Sequence, residues 1–248
     1  MIESLPLVTL AIAGLAAGFI NAIAGGGSLL TLPALIFTGL DAHAANATNR
    51  IAVLFQSGAA LVSYGREGAP LPAKARVLAA PAALSAAGGA YASTLLSEEH
   101  LRMTLAVALI IFLLISLRSK PATTRSNEFR ITPPLILGIC GIGFYAGFLQ
   151  AGMGILTLLL LGWGYGMHLL QANVLKVYLL GSLTLVALLI FALHGAQFAW
   201  ERGILLAACT SLGAFLGARL GARISERAIR NTMLVAVAAS AAKLVVDL

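Results

Sequence analysis

Charge is scarce in this chain: 10% of its 248 residues are Asp, Glu, Lys or Arg, 60% are hydrophobic, and the mean hydropathy is +0.96. So little polar surface excludes an ordinary soluble domain and leaves lipid to cover the exterior. Cysteine is nearly absent. Cys140 and Cys209 each lie inside an apolar run, where a small packing residue is expected rather than a disulfide or a metal pair. A basic leader is missing as well. The chain starts Met1-Ile2-Glu3-Ser4, so Leu5 to Ala24 reads as a retained membrane segment, not a cleaved signal. No His-Glu-x-x-His sequence occurs, and nothing calls for a cofactor or a metal. The net charge of +7 lies in short loops between apolar runs, so it describes membrane topology rather than a nucleic-acid partner.

What is present is glycine in a telling place. Asn21-Ala22-Ile23-Ala24-Gly25-Gly26-Gly27-Ser28 breaks the first apolar run, and Gln150-Ala151-Gly152-Met153-Gly154 breaks a run in the second half, with Gly152 standing 127 residues beyond Gly25. Glycine loses the most backbone entropy on ordering and interrupts a helix. Broken backbone at membrane depth is tolerated only where protein covers it or a cavity receives it, so two such breaks point to a binding site.

Taken in order, Leu5 to Ala24 and Ser28 to Thr38 form a broken pair, followed by Ala44 to Ser63, Lys74 to Leu95 and Glu99 to Leu117. Ser28 to Thr38 is too short for a hydrocarbon core of about 30 Å and reads as a re-entrant half-helix. The polar stretch 118–132 then divides the chain. After it come a second broken pair, Pro133 to Ala151 and Gly154 to Trp163, and then His168 to Leu193, Arg202 to Leu220 and Ala228 to Val246. Ser97-Glu98-Glu99-His100-Leu101-Arg102 also has a counterpart in Ser225-Glu226-Arg227-Ala228-Ile229-Arg230. The predicted fold class is therefore an all-α polytopic membrane protein of two repeats, 1–117 and 133–248, joined by a basic cytoplasmic linker. Five segments per repeat is odd, which turns the second copy upside down and makes the topology inverted. Loop charge agrees when both termini lie outside: the clusters Arg66, Lys74 and Arg76; Arg118, Lys120, Arg125 and Arg130; and Arg219, Arg223, Arg227 and Arg230 then all face the cytoplasm.

Polar groups against this apolar background are the candidate site. Arg50 lies several residues inside one predicted helix and Lys176 occupies the corresponding place in the other repeat. Charges at depth face a cavity or a partner, unless they snorkel to the interface. No acidic residue shares those stretches, so an anionic substrate is the expected partner. The half-helix starts near Gly25, Gly26, Gly27 and Ser28, and near Gly152 and Gly154, would offer unpaired N–H groups and positive dipole ends. Neutral donors and acceptors cluster nearby: Asn21, Ser28, Thr31, Asn46, Thr48, Asn49 and Gln56, with Gln150, Thr157 and Asn173 in the second half. Each could instead bond a neighbouring helix, worth about 0.6 to 2 kcal/mol. Asn21 and Gln150, just before the breaks, are the leading candidates, and Tyr178 is a weaker one. His43 is the candidate for proton coupling, since imidazole titrates near neutrality, although interfacial hydrogen bonding is the plainer role.

Asn21 to Pro33, followed by Gly39-Leu40-Asp41-Ala42-His43-Ala44-Ala45-Asn46-Ala47-Thr48-Asn49, resembles the signature of the TauE/SafE family of sulfite and organosulfonate exporters. The resemblance extends over essentially the whole chain. It implies secondary transport of a small sulfur-containing anion across the cytoplasmic (inner) membrane, with the substrate and its direction left open. The family's threonine-serine pair after Ala47 is kept in part as Thr48-Asn49, and Gly152-Met153-Gly154 departs from its second glycine motif. An alternating-access carrier is the expected mechanism. An anion channel would use the same helix-end donors. An intramembrane enzyme built on Ser28 would need a base that no histidine is placed to supply.

Overall fold

Glycine, proline and short polar caps cut the apolar chain into helices. A computed structural model describes residues 4–69, 71, 73–118 and 130–220, and every regular element among them is helical. The helices are α1 (Ser4–Ile23), α2 (Ser28–Phe37), α3 (Ala42–Arg66), α4 (Ala79–Thr94), α5 (Glu98–Arg118), α6 (Pro133–Phe148), α7 (Met153–Leu158), α8 (Leu169–Leu193) and α9 (Trp200–Leu220). Three stretches, Pro6–Ile23, Leu169–Leu193 and Trp200–Leu220, are long and apolar enough to cross a membrane. The expected last helix, Ala228 to Val246, the basic residues Arg223, Arg227 and Arg230, and most of the central linker lie outside the described residues.

Local chemistry explains the boundaries. Asp41 caps α3 by accepting from the Ala44 N–H at 2.7 Å, and Thr132 caps α6 ahead of prolines at its first two positions, where a missing N–H costs nothing. The helix expected from Lys74 begins instead as a 3-10 turn, Ala73–Leu78, and turns α-helical at Ala79. The physical reason is Pro81, which a helix accepts in its first turn and not in its interior. The helix α7 starts at Met153, one residue earlier than expected, and widens into a π turn over Leu159–Gly164.

The helices do not pack in chain order. The chief neighbours of α1 and α3 include α9, from the far end of the chain, while α4 packs on α6 and α8. Alanine and glycine make these seams close. A Cβ at Gly18 would lie 2.7 Å from the Thr210 carbonyl carbon, and one at Gly217 2.6 Å from the Phe19 oxygen, so α1 and α9 touch backbone to backbone. The pair α4 and α6 does the same through Gly143 and Gly147 against Ala82 and Ala86, and through Gly89 against Phe144. Small residues on facing helices allow this approach in lipid, where packing has to replace the hydrophobic drive. The helix α5 lies under both breaks: Leu105, Leu109 and Phe112 share one buried cluster with Ala17, Leu29, Leu149 and Ala151.

Candidate functional site

The last carbonyls of a helix lack intrahelical donors, and at a break inside a bilayer no water can supply them. Two cations, one asparagine and one tyrosine do so here. At the end of α6, Arg50 Nη1 and Nη2 donate to the Ala146 and Gly147 oxygens, each at 2.6 Å, and Asn46 Nδ2 donates to Phe148 O at 2.9 Å. At the end of α1, Lys176 Nζ donates to the oxygens of Asn21 and Ala22 at 2.7 and 3.1 Å, and the Tyr64 hydroxyl adds a bond to Ala22 O at 2.8 Å. Each cation is steadied by an asparagine of its own helix: Lys176 Nζ donates to Asn173 Oδ1 at 2.7 Å, and Arg50 Nη2 to Asn46 Oδ1 at 3.4 Å. Arg50 also stands 5.1 Å over the Phe191 ring. A positive charge at a helix C-terminus complements the dipole there.

Neither cation snorkels. Both Arg50 and Lys176 are 0% exposed, and among the described residues no carboxylate is buried with them. The ion pair formed by Arg219 Nε and Glu67 Oε1, at 3.6 Å, is on the exposed surface. Among the described residues, then, neither interior cation has a carboxylate partner.

The two breaks meet. A Cβ on Gly25, whose φ is +81°, would stand 2.6 Å from Gly154 Cα, and one on Gly154 would stand 2.8 Å from the Gly25 carbonyl carbon. A Cβ added at Gly27 would likewise stand 2.6 Å from Asn21 Cβ. Gly152, at φ +69°, lies against the Phe112 ring. Among the described residues, no backbone carbonyl accepts from the N–H groups of Gly26 and Gly27 or of Ala151 and Gly152. Donors without backbone acceptors therefore accompany each break.

The other expected residues fall into place around this centre. Thr31, in the first turn of α2, donates to Asn49 Oδ1 at 2.6 Å, which leaves the fully buried Asn49 Nδ2 without an acceptor. Gln150 sits in a left-handed conformation, φ +65°; its Nε2 donates to Thr184 Oγ1 while its Oε1 stays buried and unpartnered. A non-glycine residue held there carries strain of about 1 to 3 kcal/mol, which tends to occur where function demands the geometry. Asn21, Ser28 and Gln56 are buried. Thr48 faces elsewhere and accepts from the Ala199 N–H at 3.0 Å, before α9. Thr157 bonds its own helix at Met153 O. His43 ties the start of α3 to the carbonyl of Leu96 at 3.1 Å, which is the interfacial role. Thr184, Tyr64 and Phe191 were not singled out from sequence. Thr184 stands eight positions beyond Lys176, about two helical turns, so helical spacing from the lysine was the available signal. Tyr64 and Phe191 stand about four turns beyond Arg50 and Lys176 on the same helices, so spacing from the cation was the signal for them too.

Apolar helices, a centre built from two backbone breaks and buried cations are the marks of a membrane transporter. The sequence profile described as Sulfite exporter TauE/SafE matches residues 10–244, and the chain belongs to that family. It is 30% identical, over 97% of its length and 93% of the relative's, to the probable membrane transporter protein ORF9 of Sinorhizobium sp. It is 28% identical to the probable membrane transporter protein YfcA of Escherichia coli (strain K12), across 100% of this chain and 92% of that one. A probable membrane transporter protein of Haemophilus influenzae is 27% identical, over 94% and 92% of the two chains. No solved structure matches.

Proposed function

We propose that the protein carries a small sulfur-containing anion, sulfite or an organosulfonate, across the cytoplasmic membrane by alternating access. The observation that carries this reading is the pair of buried cations, Arg50 and Lys176, held beside two touching helix breaks with no buried carboxylate among the described residues. Interior positive charge without a counter-ion favours an anion, and the family supplies the substrate class. Roles divide by available donors. The N–H groups at Gly26, Gly27, Ala151 and Gly152 and the Asn49 amide supply hydrogen bonds, while Arg50 and Lys176, largely committed to carbonyls, supply the field.

Inverted repeats suit this scheme. Arg50 of the first half serves the break of the second, and Lys176 of the second half serves the break of the first, which is the reciprocity such a repeat would produce. Re-entrant pairing is supported where Thr132, before α6, donates to the Tyr165 hydroxyl beyond α7 at 3.2 Å. The proposed orientation puts both termini outside. It draws support from the Arg219–Glu67 pair, which gathers two basic loops at one end.

The test is flux of sulfite and of organosulfonates into proteoliposomes, with and without a proton gradient. Saturable wild-type flux, reduced in Arg50→Lys and Lys176→Arg variants that keep the wild-type melting temperature, is the expected result. Non-saturating currents reversing with the anion gradient would indicate a channel. Absence of flux for every sulfur anion would refute the substrate class.

A further inference from the structure

The packing divides the helices differently from the sequence. Backbone-close glycine seams join α1 to α9 through Gly18, Gly213 and Gly217, and join α4 to α6 through Gly89, Gly143 and Gly147. Hydrogen bonds tighten the first of these groups: Ser63 Oγ donates to Phe215 O at 2.9 Å and Thr210 Oγ1 to Ala52 O at 3.4 Å, tying α3 to α9. The half-helices follow their neighbours, α2 lying on α1 and α3, and α7 on α6 and α8. Between the two groups the main seam is α3 against α8. That seam meets a side chain and not backbone: a Cβ added at Gly181 would stand 3.3 Å from Ser57 Cβ, close, but without the backbone contact of the other two seams. Across the same division run the Gly25–Gly154 contact, the Arg50 bonds to α6 and the Lys176 bonds to α1.

We propose that the bodies that move during transport are these exchanged sets, α1, α2, α3 and α9 against α4, α6, α7 and α8, and not the two sequence halves. The proposal rests on the alternating-access reading and changes its moving parts. Helices locked by backbone contact lose a great deal of packing on separation, because interiors tolerate discrete rearrangement better than gradual opening. The α3–α8 seam of side chains can part at lower cost, and the local Gly25–Gly154 contact and the cation bonds to α1 and α6 are what break and re-form in each cycle. The two breaks and both cations sit between the bodies, so one rocking motion opens the anion site to either side while each cation keeps its own asparagine.

Disulfide bridges separate the alternatives, because the bridges below both join the first half to the second. Cysteine at Gly14 would place its Cβ 3.1 Å from that of the native Cys209 and 2.9 Å from the flexible end of Leu206, so Gly14→Cys in a Cys140→Ala background links α1 to α9 within one body. Ser57→Cys with Gly181→Cys, in a background lacking both native cysteines, links α3 to α8 between bodies. Both separations lie a few tenths of an ångström below the usual Cβ spacing of about 3.5–4.5 Å, within reach of small shifts. Sulfite flux after oxidation is expected to stay within about twofold of wild type for the first bridge, and to fall roughly tenfold or more for the second and recover on reduction. Arrest by both bridges, or by neither, overturns the proposal. A second measurement needs no substrate. In liposomes a membrane-impermeant maleimide is expected to label Ser57→Cys, on the parting seam, and to spare native Cys209, on the locked one. The reverse order, equal labelling or no labelling of Ser57→Cys overturns the assignment of bodies. Wild-type protein without sulfur-anion flux would refute the substrate class alone, and the maleimide result would still decide the division.

Discussion

One added methyl group tests the contact between the two breaks. Gly25 has φ +81° and would press a Cβ to 2.6 Å from Gly154 Cα, whereas Gly39 has φ +90° with nothing within 4 Å of an added Cβ. Alanine at Gly39 therefore incurs the left-handed penalty alone, about 1–2 kcal/mol. Alanine at Gly25 incurs that penalty plus overpacking against backbone that cannot rotate away, a further 1–3 kcal/mol or so. For a chain of this length each kcal/mol lowers the melting temperature by about 2–4 °C. Thermal unfolding in lipid bicelles should thus show Gly25→Ala melting several degrees below Gly39→Ala. Gly154→Ala presses on the same place from the other side, 2.8 Å from the Gly25 carbonyl carbon. Since either methyl group forces the same separation, the double variant should lose less stability than the two single losses combined. Equal melting of Gly25→Ala and Gly39→Ala would refute the claim that the breaks are in contact.

Other outcomes follow from the same geometry. Tyr64→Phe removes one of the donors to Ala22 O and should reduce stability by about 1 kcal/mol in bicelle unfolding, with flux retained because Lys176 still serves that carbonyl. Asn49→Asp puts a carboxylate where a free amide N–H now points; repulsion of an incoming anion should raise the KM for sulfite while the melting temperature changes little. Gln150→Gly relieves the left-handed strain and loses the bond to Thr184. These effects nearly offset, so stability should hold to within about 1 kcal/mol while flux falls. Glu67→Gln breaks an exposed pair and should shift stability by under about 1 kcal/mol, less still at high salt.

Much of the helical layout was legible in the sequence because glycine and proline act locally. The breaks at Gly25–Gly27 and Gly152–Gly154 and the short α2 follow from short-range rules. Arg50 and Lys176 stood out because a charge in an apolar run has to be accounted for. Their partners did not stand out. Arg50 bonds the oxygens of Ala146 and Gly147, and Lys176 those of Asn21 and Ala22; a backbone oxygen leaves no mark in the sequence when its residue is alanine or glycine. Helix rotation was hidden for a related reason. With apolar residues on every side of α8, hydropathy gave no rotation, and only spacing from Lys176 could set Thr184 and Phe191 inward and Leu185 and Leu189 outward. The exchange of α9 and α4 between packing groups depends on contacts far apart in the chain, which periodicity does not encode.

The two cations differ in what they have left to give. An ammonium carries three N–H bonds, and Lys176 spends all three, on Asn21 O, Ala22 O and Asn173 Oδ1. A guanidinium carries five, and Arg50 keeps its Nε–H buried and unused. The centre is therefore not chemically symmetric. In the proposed transport cycle, an anion reaching toward both sides would feel attraction from each but could take a hydrogen bond from the charged group of only one, and so would sit with a preferred end toward Arg50.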